Sequence, residues 1–220
     1  MEEFTKRSLD DFLDGVVDRT PIPGGGGVNA LAGALACALA RMVAAYSVGE
    51  KTKADVRKQV QSAATRLHRT DELLRALITQ DAVAYTNMTA AAPSRGRGKA
   101  ALRQPARTPQ SDAAYQDAVA AAVAVPMEIA AIASNALAAM DELKTVASRF
   151  LLSDLGIAAV LAEAAARAAG YTVRINAAQF DDEPTRSNWL QQTETMVGHC
   201  GERCRSIEQF VCERLDADRA

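Results

Sequence analysis

Aromatic residues are scarce in this chain of 220 residues, 5% of it against 49% hydrophobic residues in all. The apolar mass is therefore mostly alanine, leucine and valine, which suits close-packed helices better than pleated sheet surfaces. An excess of one charge is also lacking: the formal net charge of -2 gives no general attraction to nucleic acid or anionic lipid, so any anion site has to be local. Met1 to Asp10 contains no apolar stretch of the signal-peptide kind, and the longest apolar run, Val28 to Tyr46, is broken by Asn29 and Arg41. These absences lead us to expect a soluble, cytoplasmic protein without a membrane segment.

Metal and nucleotide signatures are missing as well. The four cysteines, Cys37, Cys200, Cys204 and Cys212, include no C-x-x-C pair and, without export features, are expected to be reduced. Cys200, Cys204 and Cys212 share a helical face beside His199, but one straight helix cannot wrap tetrahedral ligands around zinc, so they read as packing residues and no metal site is expected. Gly25, Gly27 and Ala30 satisfy a loose G-x-G-x-x-A pattern. No strand precedes it, Pro21 and Pro23 oppose one, and the Gly-Lys-Ser/Thr ending of a Walker loop is absent.

What is there reads as helices. Ser8 and Asp11 form a capping-box pattern ahead of Phe12, Leu13, Val16 and Val17, predicting a short helix to about Asp18. Thr20 to Gly27 is a proline and glycine loop. Val28 to Tyr46 follows as a helix expected to be buried nearly all round, with Ala30, Gly33, Ala34 and Cys37 on one side and Leu31, Leu35, Leu39 and Met42 on another. After a turn over Ser47 to Lys53, Val56 to about Ala90 continues as a long amphipathic helix.

Residues 93–109 carry Arg95, Arg97, Lys99, Arg103 and Arg107 among prolines and glycines. They read as a basic surface loop; with no interleaved aromatics, nucleic-acid binding is not expected. Ser111 to Leu143 is helical, with Pro126 either opening a second helix or kinking a single one. Ser153 and Asp154 can cap a helix from Leu155 to Ala169 that stops at Gly170. Tyr171 to Asn176 alternates like a strand but has no partner strand, so an extended or kinked connector is expected. Pro184 opens a last helix through Trp189, Ile207 and Val211. The sum is an all-α chain, one domain over residues 1–220, built as a bundle of six to eight helices.

The glycine run leads straight into a helix N-terminus, whose bare N–H groups suit an anion or the oxygen of a polar heterocycle; equally, it can mark a tight crossing where only glycine fits. Asp81, flanked by alanines in mid-helix, is harder to explain as a cap than Asp154 is.

In order, Thr20-Pro21-Ile22-Pro23-Gly24-Gly25-Gly26 entering Ala30 to Ala34, Met42-Val43, the Gly49 to Lys53 turn, Asp81-Ala-Val-Ala-Tyr85, Val125-Pro126-Met127, Ser153-Asp154-Leu155-Gly156 and Val173-Arg174-Ile175-Asn176 resemble the family of formiminotetrahydrofolate cyclodeaminase and bacterial methenyltetrahydrofolate cyclohydrolase. The resemblance covers about residues 8–212. It implies an all-helical homodimer acting on a tetrahydrofolate derivative that carries a one-carbon unit, with no tightly bound cofactor. Ala147, Ser148 and Phe150 depart from the family's Gly-Asn pair and further Asn, and Glu50 stands where the family has lysine.

On that resemblance Asp154 is expected as general acid/base and Asp81 as its electrostatic partner. Gly24, Gly25, Gly26 and Gly27 would hold a pterin oxygen or carboxylate. Asn176 would meet the pterin edge, Ser153 would line the site, and Lys51, Lys53 and Arg174 would receive the glutamate tail. Cyclohydrolase and cyclodeaminase chemistry use the same region; a folate-binding or helical interaction protein that has lost catalysis is the alternative.

Overall fold

The computed structural model describes residues 4–92 and 108–217, so the basic cluster at 95–107 lies outside the described residues. Ser8 and Asp11 cap each other as the sequence suggests: Ser8 Oγ accepts from the Asp11 N–H at 3.1 Å while the Asp11 carboxylate accepts from the Ser8 N–H at 3.3 Å. They start helix α1, Leu9–Val17. Helix α2 is Gly25–Tyr46, α3 is Ala54–Ala91, α4 is Pro109–Leu143, α5 is Leu152–Ala177 and α6 is Glu183–Ala217. Thr108 and Ser111 form a second reciprocal cap, with Pro109 in the first turn, where its missing N–H costs nothing.

Four of these helices close a ring: α2 packs on α3, α3 on α4, α4 on α5 and α5 back on α2, while α6 lies along α4 and α5. Asn29 reaches Thr172 and Ser47 reaches Ser148, so α2 and α5 run antiparallel. Alanine sets how closely they approach. Ala158, Ala162, Ala165, Ala166 and Ala169 of α5 are fully or almost fully buried, and at Gly33 of α2 an added Cβ would press on Leu74 at 3.1 Å and meet Ala165 at 3.6 Å. The leucines and isoleucines of α3 and α4 (Leu67, Leu74, Ile129, Leu137) fill the centre.

Three expectations are corrected. First, α2 is not buried nearly all round: Val28, Leu35, Met42 and Tyr46 are exposed, because the flanks taken by α3 and α5 leave a third side bare. Secondly, Gly170 does not end α5, and Tyr171 to Asn176 is helix. Val173, Asn176 and Ala177 are buried while Tyr171, Arg174 and Ile175 face out, a helical period that tertiary contact imposes on β-branched residues. Thirdly, α5 begins at Leu152 after a 3-10 turn, Arg149–Leu151, so Ser153 and Asp154 sit inside its first turn and do not cap it.

Pro126 lies within a single continuous α4. By length and composition α2 and α4 are each apolar enough to cross a membrane; both are members of the ring.

Candidate functional site

At one end of the ring the first turn of α2 meets the middle of α3 and the last turns of α5. Thr20 Oγ1 bonds the Ile22 carbonyl at 3.1 Å, and a cis Ile22–Pro23 peptide brings the chain to Gly24, the residue before α2. Gly25, Gly26 and Gly27 are therefore the first helical turn and not a loop, a correction to the sequence reading. A cavity of about 280 Å³ opens here, lined by Pro21, Gly24, Gly25, Gly26, Asp81, Ala84, Tyr85, Ala122, Thr172, Ile175 and Asn176.

The glycines have separate jobs. A side chain at Gly26 would fall inside the Asp81 carboxylate, so glycine is what lets that carboxylate seat against the α2 backbone. Gly27 is buried outside the cavity lining, and its N–H donates to Asp81. An added Cβ at Gly25 would meet nothing within 4 Å. Since Gly24 has no side chain to cap α2, Asp81 supplies the anion at this helix N-terminus from a neighbouring helix. Burial raises the Asp81 pKa above the ordinary carboxylate range, and the Gly27 hydrogen bond opposes part of that rise.

Asn176, at the far wall, donates from Nδ2 to the Ala122 carbonyl at 2.7 Å. Below the cavity Met88, Tyr115, Val119, Val123, Val173 and Ala177 form a separate apolar cluster that holds these walls in place.

The residues named from sequence divide between two ends of the molecule. Gly24, Gly25, Gly26, Asp81 and Asn176 share the cavity. Arg174 is on the adjoining face of α5, in a groove with Arg167, Tyr171, Leu190 and Glu194 of α5 and α6. Asp154 and Ser153 are in the first turn of α5, 22 residues from Asn176, which along a helix is about 33 Å. Lys51 and Lys53 precede α3 at that same distant end, where Ser47 Oγ accepts from the Ser148 N–H at 2.9 Å. The structure of one chain therefore does not unite Asp154 with Asp81.

Tyr85, Thr172 and Ala122 were not singled out from sequence as site residues. Tyr85 follows Asp81 by one helical turn and Thr172 precedes Asn176 by one, a signal usable only once Tyr171 to Asn176 is known to be helical.

Among the described residues no group of three His, Cys, Asp or Glu side chains is placed to hold a metal. Cys200 and Cys204 are buried on α6, and Cys212 is exposed.

These features define an all-helical domain with a part-buried carboxylate seated on a glycine-started helix, facing an open, part-polar cavity. Residues 8–195 match the formiminotransferase-cyclodeaminase family, and the chain belongs to it. It is 28% identical to the methenyltetrahydrofolate cyclohydrolase of Methylorubrum extorquens over 95% of this chain and 98% of that protein. It is 31% identical to rat formimidoyltransferase-cyclodeaminase over 86% of this chain, which spans only 35% of the rat protein. The solved structure of formiminotetrahydrofolate cyclodeaminase from Thermotoga maritima superposes with a TM-score of 0.82 at 25% identity, covering 96% of this chain and 98% of that one.

Proposed function

We propose that this protein is a one-carbon folate enzyme that hydrolyses 5,10-methenyltetrahydrofolate to 10-formyltetrahydrofolate. The observation that carries the reading is Asp81: a carboxylate held on the α2 N-terminus, with its pKa raised, beside a cavity with an amide on the opposite wall. The similarity to a cyclohydrolase from end to end supports it.

Water attacks the cationic carbon that bridges N5 and N10 and loses a proton to the carboxylate. The adduct then collapses with cleavage of the bond to N5, which leaves carrying a proton, so one proton is released overall. A carboxylate with a raised pKa is a stronger base than an ordinary one and can accept and return that proton, and when ionised it also stabilises the cation. In one protomer this work falls to Asp81. Asn176 and the Gly24 to Gly26 backbone face the heterocycle, and Arg174 is the nearest of the proposed tail-binding cations.

Asp154, Ser153, Lys51 and Lys53 enter the site through a homodimer. The bare sides of α2 and α5 expose Leu35, Met42, Ile157, Val160, Tyr171 and Ile175, an apolar face suited to an isologous contact. A two-fold axis running across these helices turns the Asp154 end of one copy onto the Asp81 end of the other. Mixing Asp81→Asn with Asp154→Asn subunits then rebuilds one intact site per mixed dimer and restores activity that neither variant has alone; no restoration removes the shared site.

The assay of the reaction itself is loss of the methenyl chromophore above its spontaneous rate. Likeness to a solved cyclodeaminase favours a second reading, in which formiminotetrahydrofolate yields the methenyl product and ammonia. Ammonia release with chromophore formation selects that reading. Folate binding without turnover selects a non-catalytic member, a role to which Ala147, Ser148 and Phe150 near Asp154 give substance.

A further inference from the structure

Helix α4 passes through Pro126 without ending, and proline has no N–H. The carbonyl four residues earlier, Ala122, thus loses its helical partner in a buried position. Asn176 of α5 replaces that partner, with Nδ2 to O at 2.7 Å. Asn176 is itself 9% exposed and lines the cavity with Asp81. An amide has one donor end and one acceptor end, so holding the donor end decides what the other end offers. Were the amide to rotate, Oδ1 would face the Ala122 oxygen, leaving two acceptors opposed and a buried carbonyl unpaired.

We propose that Asn176 is a specificity-determining residue whose Oδ1 is a fixed acceptor for an N–H donor of the bound heterocycle, and that Pro126 is the positioning residue that fixes it. The inference rests on the folate reading of the cavity and adds a polarity to it: the wall opposite Asp81 selects a ring edge that donates, such as the amide and amino edge of a pterin, and disfavours one that only accepts. An alanine at position 126 would return an N–H to the Ala122 carbonyl and release the Asn176 amide to adopt either orientation.

The test is a double-mutant cycle on purified full-length protein with 5,10-methenyltetrahydrofolate, reading KM and kcat separately. Pro126→Ala is expected to raise KM about two- to tenfold, the worth of one neutral hydrogen bond, with a smaller change in kcat. Asn176→Ala is expected to raise KM at least as much. In the Asn176→Ala background, adding Pro126→Ala should change KM no further. The side-chain amide signal of Asn176 in nuclear magnetic resonance spectra supplies a reading independent of turnover: slow hydrogen exchange in the wild type, faster in Pro126→Ala. Equal effects of Pro126→Ala with and without Asn176, or an unchanged KM, overturn the proposal while leaving the folate reading intact. A wild-type protein that neither binds nor converts methenyl- or formiminotetrahydrofolate overturns both.

Discussion

Asp81 rests on Gly26 so closely that no β-carbon fits between the α3 carboxylate and the α2 backbone. The seat of that carboxylate thus depends on a missing side chain. Gly26→Ala must displace Asp81 and its bond to the Gly27 N–H, and we expect a loss of about 1–3 kcal/mol in denaturant unfolding together with loss of turnover. Gly25→Ala separates the two effects. Its Cβ meets nothing within 4 Å among the described residues, so unfolding should be unchanged or slightly more resistant, while the added methyl beside the cavity raises KM. Equal destabilisation by both substitutions would refute the division of labour among the glycines.

The titration of Asp81 predicts an unusual pH dependence. Because burial raises its folded pKa, the folded state holds the proton more tightly than the unfolded chain does. From about pH 4 upward this group makes stability fall as pH rises through its folded pKa, and the penalty is complete above that value. Asp81→Asn keeps an acceptor for Gly27 but cannot ionise. Unfolding midpoints of the variant and wild type should converge near pH 3.5, with the variant more resistant at pH 7. Activity of the wild type should fall on acidification with a midpoint above the ordinary carboxylate range.

Asp71 ties α2 to α3. It is buried, and its two oxygens accept from Arg41 Nη1 and Arg75 Nε, each at 2.7 Å. Both arginines keep contact with solvent, so Asp71→Ala leaves them able to rehydrate and should cost about 1.5–3 kcal/mol. Arg41→Met leaves the carboxylate buried with only Arg75 as partner, so it too should lower the unfolding midpoint in denaturant. A change below a few tenths of a kcal/mol in Asp71→Ala would show that the pairing adds nothing net.

Thiol chemistry should distinguish the four cysteines. Burial raises the Cys37 thiol to about 11 and the Cys204 thiol to about 12, and raises Cys200 as well, whereas Cys212 is exposed. One equivalent of a disulfide reagent should react promptly, at Cys212. The other three should become reactive only on unfolding. Prompt labelling of more than one thiol in native protein would contradict the packing of α2 or of α6.

Much of this protein was legible without coordinates. The alanine-rich helices, the Ser8–Asp11 cap and the loop before α2 follow from propensity and capping, which act over a few residues and are written locally. The ordered landmarks from Thr20 to Asn176 are enough to recognise the family, since a shared register of motifs survives wide divergence elsewhere. Local rules failed where distant chain decided. Tyr171 to Asn176 looks like a strand until α4 and α6 pack on it and bury Val173 and Ala177 at helical spacing.

The glycine run gave equal support to a ligand loop and to a tight crossing, because sequence shows missing side chains but not what approaches them. Only the placement of Asp81, 55 residues beyond Gly26, assigns the carboxylate's seat to Gly26, the anchoring N–H to Gly27 and open space to Gly25. Likewise Asp154 and Asp81 appear as a natural pair of carboxylates in sequence. Helix length separates them in one chain, since a helix of 26 residues holds its ends far apart whatever chemistry those ends carry.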